Sequence, residues 1–340
     1  MPTDGVPVLV LADILAARQV IRGIADATPM VPSPFMAART GHDFLLKLEI
    51  AQPMGAFKLR GALNAMAALP AGTPGVTCCS TGNHGRAVAY AARRQGLRAV
   101  VCMSALVPQA KVEGIRALGA ELRITGRSQD DAAAASRRLA EAEGLAEIPP
   151  FDDAGVIAGQ GTIGLEMLEA RPDLTALLVP LSGGGLAAGV ALAARAIRPG
   201  IRIIGISMER GAAMAASLAA GHPVAVTEHA SLADSRGGGI GAGNRLTFAL
   251  CRDLIDDVVR VREEEIRDAM QALYFEDRIV AEGASAVGLA AVLAGKVRIS
   301  GPAATIVTGR NLDMAGFSAI MAGQDMRIGD LTVKGRAYGA

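Results

Sequence analysis

Ala56-Phe57-Lys58-Leu59-Arg60-Gly61-Ala62 is the stretch around which the whole sequence is organised. It follows a polar turn, Gln52–Gly55, and Lys58 stands at the start of an apolar helical pattern. A lysine at the N-terminus of a helix is in most proteins a solvated surface residue. A functional interpretation of Lys58 therefore depends on three other stretches: Ser80–Gly85, Ser182–Leu186 and Thr308–Asp313.

Length and composition restrict the class of protein. The 340 residues suggest two domains, because a single core rarely grows beyond about 250–300 residues. The net charge of +1 gives no reason to expect a nucleic acid or an anionic membrane as partner. No apolar run reaches the roughly 18 residues that span a bilayer, and Met1–Gly5 lacks the features of a signal peptide. We expect a cytoplasmic protein with a small-molecule partner.

The cysteines and histidines do not have the spacing of a metal site. The four cysteines form no CxxC pair, so neither a zinc site nor a redox dithiol is indicated. The four histidines form neither HxxxH nor HExxH. We therefore predict no structural metal ion.

Apolar strand patterns alternate with helical patterns of 10–15 residues in two series. The first runs from Gly75 to Glu143 and the second begins at Gly155, with a crossing between domains at Glu147–Asp153. Such alternation predicts an α/β fold with two open, mostly parallel twisted sheets flanked by helices. His222–Gly243 is predicted to be a polar loop, and Met321–Ala340 a surface tail.

Gly183, Gly184 and Gly185 join a predicted strand to a helix that starts near Leu186. Glycines at such a junction let backbone N–H groups approach an anion, and the helix N-terminus adds positive potential. The pattern is neither a P-loop nor GxGxxG, and an ordinary tight turn would also explain three glycines. Gly237–Gly241 follows no strand and is interpreted as a flexible loop near a site.

Two further polar stretches lie where strands end. Ser80–Gly85 offers hydroxyls, an amide and N–H groups at a helix N-terminus, which suits a carboxylate, although Ser, Thr and Asn are also ordinary N-caps. Thr308–Asn311 follows the last strand, at the end where open α/β sheets bind ligands. Thr308 could hydrogen-bond a ring nitrogen without protonating it.

In this order, the four stretches resemble the tryptophan synthase β-like (fold type II) family of pyridoxal-phosphate enzymes, and within it the threonine/serine dehydratase and serine racemase branch. The resemblance runs from about Val8 to Met314. More narrowly, four segments look like the hydroxyectoine utilization dehydratases: Ser80–Arg86, Pro180–Gly189, Leu232–Asn244 and Thr308–Asp313. The resemblance implies a small mobile domain at 73–151 and a large cofactor-binding domain at 1–72 and 152–340, with pyridoxal 5'-phosphate in the cleft between them.

The resemblance also implies roles for individual residues. Lys58 would form the Schiff base with the cofactor and later act as general base, and Phe57 would pack on the ring. The remaining cofactor-binding residues would be Asn83 at the ring 3-hydroxyl, Gly183, Gly184, Gly185 and Leu186 at the phosphate, and Thr308 and Glu282 near the pyridine nitrogen. The substrate carboxylate would be held by Ser80, Thr81, Gly82, Asn83 and His84.

The implied reaction is loss of water from a 3-hydroxy amino acid. A hydroxyl beside the pyridine nitrogen makes the ring a weaker electron sink than a carboxylate would, which favours prompt loss of a β-leaving group. The released product tautomerises to an imine and hydrolyses to a keto acid and ammonia. The branch thus implies a dehydratase (ammonia-lyase), and the narrower resemblance places it in hydroxyectoine catabolism.

Departures from the family limit what is carried over. Thr81 stands where serine racemases use a serine as second base, so racemisation is doubtful. Ser207 and Ala213 stand where metal-dependent relatives have acidic ligands, so no divalent-ion site of that type is predicted. The chain lacks the ~80 residues of a regulatory domain after the match, so feedback control by isoleucine is not expected.

Asp131 falls near the position where a racemase relative presents an arginine to the substrate. A carboxylate there would favour a cationic or amide-bearing substrate, such as a hydroxylated diaminobutyrate derivative. An exposed acidic residue at a helix N-terminus explains it equally well.

Several alternatives stay open. The substrate could be threonine, serine or 3-hydroxyaspartate, and the reaction could be racemisation of serine or β-replacement. A cofactor-binding protein without activity is disfavoured by the presence of both Lys58 and the Ser80–Gly85 stretch. The resemblance implies a homodimer.

Overall fold

The structure, a computed structural model, describes residues 8–80, 82–105, 109–126, 129–233 and 239–340. The helices of these residues are α1 (Leu11–Ile21), α2 (Pro34–Thr40), α3 (Lys58–Ala67), α4 (Asn83–Gln95), α5 (Gln109–Arg116), α6 (Gln129–Glu143), α7 (Ala154–Ala170), α8 (Gly185–Ile197), α9 (Ala213–Ala220), α10 (Leu246–Leu254), α11 (Glu263–Phe275), α12 (Gly283–Leu293) and α13 (Met314–Met321). The strands are β1 (Met30–Pro32), β2 (Phe44–Leu48), β3 (Val76–Cys79), β4 (Ala99–Met103), β5 (Glu121–Ile124), β6 (Ala146–Glu147), β7 (Ala176–Pro180), β8 (Arg202–Met208), β9 (Asp257–Val261), β10 (Ala303–Val307), β11 (Met326–Ile328) and β12 (Leu331–Val333).

The larger sheet has six strands in the order β1-β2-β10-β7-β8-β9. Every neighbouring pair is parallel except the edge pair β1 and β2. All residues of β7 and β10 are buried, as expected of central parallel strands covered by helices on both faces. Their carboxyl ends open at the same edge of the sheet.

The smaller sheet has four parallel strands in the order β5-β4-β3-β6. All four fall between Val76 and Glu147. Two parallel-rich sheets with flanking helices confirm the predicted α/β class. The domain limits at 72/73 and 151/152 stay a prediction. The strands of the smaller sheet all lie between these limits, and those of the larger sheet all lie outside them.

Glycines bring α3 close to α7. A Cβ at Gly159 would lie 2.5 Å from the carbonyl oxygen of Arg60, and one at Gly61 would lie 2.5 Å from Nε2 of Gln160. Side chains at these positions would push the two helices apart. The close packing therefore fixes where α3, which begins at Lys58, lies on the large sheet.

A buried cluster of four charged side chains also holds α3. Arg60 is 1% exposed and contacts Glu49 at 2.8 Å and Glu166 at 2.6 Å, while Lys47 contacts Glu166 at 2.5 Å. Burial raises the pKa of Glu49, but the Arg60 guanidinium outweighs burial and the net pKa lies below its usual value. Two cations and two anions thus compensate one another beneath the start of α3.

The C-terminal segment differs from the predicted surface tail. β11 and β12 form an antiparallel hairpin, and Val333 is 1% exposed. The Gln271 side chain donates to the carbonyl of Arg336, and Tyr338 stacks on Phe275 at 4.9 Å between ring centroids. Met326, Ile328, Leu331 and Val333 pack against the core, but the two strands are only three residues long, which is too short for a clear periodic pattern.

Two smaller elements near the N-terminus were missing from the prediction, namely β1 and α2. β1 is three residues long and includes Pro32, so its sequence has no strand periodicity. The predicted loop at His222–Gly243 has no helix or strand in its described part, residues 222–233 and 239–243. No helix among the described residues is long and apolar enough to cross a membrane.

Candidate functional site

A cleft of about 640 Å³ opens at the carboxyl ends of the strands of both sheets. Its walls come from the start of α3, the turn after β3, the turn after β7 and the segment after β10. All four stretches that the sequence singled out therefore contribute to one cavity. Two of the four turns lead directly into a helix, so helix N-termini face this space.

Lys58 is the first residue of α3, and its side chain lines the cleft. Its Nζ donates to the carbonyl oxygen of Pro150 at 2.5 Å and lies 5.3 Å from the centre of the Phe57 ring. The backbone N–H of Phe57 donates to the carbonyl of Thr308 at 2.9 Å. The start of α3 is thus tied to the end of β10, which brings Lys58 and Thr308 into the same wall.

The turn after β7 lines another part of the cleft. A Cβ at Gly183 would lie 2.3 Å from Cδ1 of Phe151. Gly184 has φ +92° and its Cβ would lie 2.7 Å from Cε of Met214. Both positions therefore need glycine. The first N–H groups of α8, which begins at Gly185, have no acceptor within the helix and can meet an anion.

Asn83, Glu282 and Asn311 form a hydrogen-bonded group on the cleft wall. Nδ2 of Asn83 donates to both carboxylate oxygens of Glu282, at 3.1 and 3.0 Å. Nδ2 of Asn311 donates to Oδ1 of Asn83 at 2.7 Å, and the backbone N–H of Asn311 donates to Glu282 at 2.7 Å. Asn83 belongs to α4 beside the smaller sheet, whereas Glu282 and Asn311 belong to the larger part, so the group joins the two sides.

The Ser80–Gly85 turn leads from β3 into α4. Oγ of Ser80 accepts from the N–H of Gly82 at 3.3 Å, and both residues line the cleft. Thr81 lies outside the described residues, so its predicted roles as substrate contact and second base stay predictions. The described residues of the turn line the cleft, and the carboxylate site assigned to them stays a prediction.

His84 is buried and lines the same cavity. Its Nε2 lies 2.8 Å from the carbonyl oxygen of Ile148. Burial, and then the charge of Lys58, lower the pKa of His84 to about 3. The ring is therefore neutral at physiological pH and donates from Nε2.

Thr308 is 4% exposed at the end of β10 and lines the cleft. Its Oγ1 lies 3.1 Å from Oγ of Ser285, which in turn donates to the carbonyl of Gly309 at 3.0 Å. Either hydroxyl can donate in the contact between Thr308 and Ser285, so the Thr308 hydroxyl is also able to donate into the cavity.

Asp131 is the predicted site residue that the structure does not bring to the cleft. Asp131 is exposed near the start of α6. It lies against Gly126, where an added Cβ would be 2.2 Å from the Cβ of Asp131. Ala133 and Arg137 of the same helix line the cavity instead. Asp131 lies two positions before Ala133, about 200° around the helix, so it is on another face of α6 from the residues at the cleft, and its substrate contact stays a prediction.

Sequence reasoning did not single out three residues of this site, namely Asn311, Ser285 and Arg86. Asn311 lay inside the Thr308–Asp313 stretch, and its position after a strand end is the signal that could have identified it. Ser285 lies three residues after Glu282, and nothing in its own neighbourhood identified it. Arg86 follows the Ser80–Gly85 stretch directly.

Metal binding received no support from the geometry. Among the residues that the structure describes, no group of three His, Cys, Asp or Glu side chains is arranged to hold a metal ion. Ser207 is buried with its hydroxyl near the sulfur of Met208. The expectation that the protein uses no divalent ion stays a prediction.

Comparisons with known proteins agree on one family. A sequence profile of the family "Pyridoxal-phosphate dependent enzyme" matches residues 21–309. The chain is 53% identical over 309 residues to a Sinorhizobium fredii protein named, provisionally, as a threonine dehydratase, and the match covers 90% of this chain and 93% of that protein. It is 38% identical over 309 residues to an L-threonine ammonia-lyase of Thermotoga maritima, covering 90% of this chain and 76% of that one. The structure of maize serine racemase matches with a TM-score of 0.87 and 34% identity, covering 92% of this chain and 97% of that one.

Proposed function

The chain belongs to the family of pyridoxal-phosphate dependent enzymes, and from this premise we propose that it removes water from a 3-hydroxy amino acid to give a keto acid and ammonia. The cofactor of the family is pyridoxal 5'-phosphate. Relatives named as threonine dehydratase and L-threonine ammonia-lyase support the reaction class.

The residues of the cleft fit this cofactor. The turn at Gly183 and Gly184 leaves no room for a Cβ, and it ends at the N-terminus of α8, which suits a phosphate. Lys58 supplies a primary amine in the same cavity for covalent attachment to an aldehyde. We propose these two features as the phosphate and aldehyde sites, with Leu186 completing the phosphate cradle.

The ring would be held by the remaining predicted residues. Phe57 would pack against its face, and Asn83 would meet the 3-hydroxyl, with Glu282 behind it. Thr308 would face the pyridine nitrogen with a neutral hydroxyl, so no carboxylate contacts that atom. Oγ1 of Thr308 also lies 3.1 Å from Oγ of Ser285, and turning the Thr308 hydroxyl toward the cavity would let it donate to the pyridine nitrogen.

Pyridoxal phosphate, when bound, supplies a conjugated ring that withdraws electrons from the α-carbon of an attached amino acid. The chain's own contribution is binding and proton transfer. Ser80, Thr81 and the backbone of Gly82 and His84 would hold the α-carboxylate at the N-terminus of α4. Neutral His84 adds no charge of its own and no proton.

Lys58 would move the proton. Its amine takes the proton from the α-carbon, and the carbonyl of Pro150, 2.5 Å from Nζ, orients the amine and accepts one of its hydrogens. The hydroxyl on the β-carbon would then leave as water with the proton that Lys58 holds, and the electron pair of the broken Cα–H bond would form the Cα–Cβ double bond. Water returns when the released imine hydrolyses, so the net products are one keto acid and one ammonia.

One observation carries the proposal: Lys58 and the glycine turn at Gly183 line a single cavity together with the Ser80–His84 turn. The test is to supply L-threonine and L-serine to the holoenzyme and measure keto acid and ammonia. Equal amounts of both products are expected. A supplied thiol incorporated into product without keto acid would instead indicate β-replacement, and inversion of serine without ammonia would indicate racemisation.

The physiological substrate is a finer proposal. Hydroxyectoine catabolism is supported by the sequence resemblance of four stretches, among them Ser80–Arg86 and Thr308–Asp313. Threonine or serine is supported at least as well, because the relatives carry those names. A panel of 3-hydroxy amino acids that includes hydroxylated diaminobutyrates and 3-hydroxyaspartate separates these candidates by their kcat/KM.

A homodimer is also part of the proposal, supported by the same sequence resemblance. Light scattering on the purified protein gives the mass in solution directly. A mass of one chain, 34.7 kDa, would contradict it.

A further inference from the structure

Arg86 is a cation of the cleft that the proposed mechanism does not use. It follows Asn83 by one turn of α4 and lines the cavity while half-buried. Its Nε is buried and has no hydrogen-bond partner. Among the described residues, its guanidinium forms no ion pair. A buried polar group without a partner costs free energy, which a ligand that supplies the partner recovers.

The neighbouring helix α5 is shaped to admit this side chain. A Cβ at Gly114 would lie 2.2 Å from a terminal nitrogen of Arg86 and 3.2 Å from its Cζ. The guanidinium therefore occupies the space where α5 carries no side chain. Its position is set by packing between α4 and α5, which prepares it for a ligand at little cost in side-chain entropy.

The other charged groups of the cleft do not neutralise Arg86. Glu282 attracts it, but both Glu282 oxygens already accept from Asn83 and one also accepts from the backbone of Asn311. Burial lowers the pKa of Arg86 by more than the charge of Glu282 raises it, so the nearby anion does not compensate for the lost water. Four more charged side chains line the cavity, namely Lys58, Arg137, Glu147 and Glu228.

We propose that Arg86 determines the substrate specificity of the cleft by binding a carboxylate on the substrate side chain. This inference rests on the proposed function, and it names the substrate class as 3-hydroxy amino acids with an acidic side chain. The α-carboxylate is not this partner, because the N-terminus of α4 is assigned to it. A guanidinium binds a carboxylate with two parallel hydrogen bonds and repels an ammonium group.

The first test compares three substrates that share the reacting atoms. They are 3-hydroxyaspartate, threonine and 2,4-diamino-3-hydroxybutyrate, whose side chains end in a carboxylate, a methyl group and an ammonium group. We expect kcat/KM to fall in that order. Arg86→Gln should lower kcat/KM for 3-hydroxyaspartate about 10- to 100-fold, as for loss of a charged hydrogen bond, and change threonine less than about 3-fold.

Matched variants separate recognition from a structural role. Arg93→Gln removes an exposed arginine two turns along the same face of α4 and should leave all three substrates unchanged. Gly114→Ala pushes the Arg86 guanidinium aside without altering a cleft residue, and should reproduce the selective loss on 3-hydroxyaspartate. Arg86→Lys keeps the charge and should retain part of the preference.

The second test needs no turnover. Titration calorimetry of the holoenzyme with succinate and with butyrate compares a dicarboxylate with a monocarboxylate of equal length. Succinate should bind about 10-fold more tightly, and Arg86→Gln should remove that difference.

The outcomes are distinguishable. If succinate is preferred but no substrate of the panel yields keto acid, Arg86 binds carboxylates and the proposed function is wrong. If threonine is turned over but 3-hydroxyaspartate and succinate show no preference, the Arg86 inference is wrong and the proposed function stands. If Arg86→Gln lowers kcat/KM equally for all substrates, Arg86 has only a structural role and the inference is wrong.

Discussion

The side-chain amide of Asn83 donates to the carboxylate of Glu282, with Nδ2 3.0 Å from Oε2, although 199 positions separate them in the chain. Asn83 starts α4 beside the smaller sheet, and Glu282 precedes α12 on the larger sheet. This hydrogen bond joins the two walls of the cleft. It also fixes the amide of Asn83, the group proposed to meet the cofactor ring.

Asn311 supports that arrangement from behind. Its amide donates to Oδ1 of Asn83 at 2.7 Å and to the carbonyl of Met54 at 3.0 Å. Asn311→Ala removes both bonds, each worth about 0.5–1.5 kcal/mol, so we expect the Kd for pyridoxal phosphate to rise about 5- to 100-fold. Equilibrium titration of the apoenzyme measures it. An unchanged Kd together with an unchanged kcat would show that Asn83 needs no support from Asn311.

The glycine turn provides a second prediction. Gly183→Ala places a Cβ 2.3 Å from the Phe151 ring, so the turn or the ring must move. Overpacking of this kind costs about 1–3 kcal/mol and should weaken cofactor binding about 5- to 100-fold. Gly200→Ala is the matched control, because nothing lies within 4 Å of its Cβ. Equal cofactor affinity in both variants would contradict the proposed phosphate site.

Stability in acid should depend on His84. Its pKa is about 3 in the fold, against an ordinary histidine value of 6.5, so between these values the unfolded chain binds the extra proton. Stability therefore falls as the pH drops below about 6.5, by about 2 kcal/mol for this group at pH 5. His84→Gln should show a smaller loss of unfolding free energy between pH 7 and pH 5 than the unaltered protein. Parallel stability curves for the two proteins would contradict a neutral buried His84.

The charged cluster under α3 should be costly to break. Arg60→Met leaves Glu49 buried without its main partner and should destabilise the fold by about 3–5 kcal/mol, because an uncompensated charge remains inside. Arg18→Met breaks an exposed ion pair with Glu169 and should cost less than about 1 kcal/mol. Urea unfolding compares the two. Similar small losses would mean that solvent reaches the cluster.

The sequence predicted the parts of the site that depend on local pattern. The alternation of apolar strands and helices predicted the two parallel-rich sheets, and the turns after β3, β7 and β10 do meet at one cleft. Turns at strand ends can be recognised in a sequence because they combine glycines or polar side chains with a change from strand to helix periodicity. Lys58 was different, because its place before a helix also fits a surface lysine, and its role was inferred only from the other three stretches and the family resemblance.

Contacts between residues far apart in the chain could not be predicted from the sequence. Nothing near Asn83 indicates that its partners are Glu282 and Asn311, since these hydrogen bonds depend on how the two sheets are placed. The orientation of Asp131 was not readable for a related reason: the packing of α6 decides which of its faces lies at the cleft, and the sequence alone does not fix that rotation. The C-terminal hairpin around Val333 packs apolar side chains against the core, but its strands are three residues long and give too short a pattern to recognise.

The most direct test of the account is Lys58→Ala. With pyridoxal phosphate added, this variant should show no covalently linked visible absorption band and no release of keto acid from L-threonine or 3-hydroxyaspartate, while its far-UV circular dichroism matches that of the unaltered protein. Lys58→Ala that forms keto acid and ammonia at the normal rate would contradict the central claim, that Lys58 is the amine that carries the reaction.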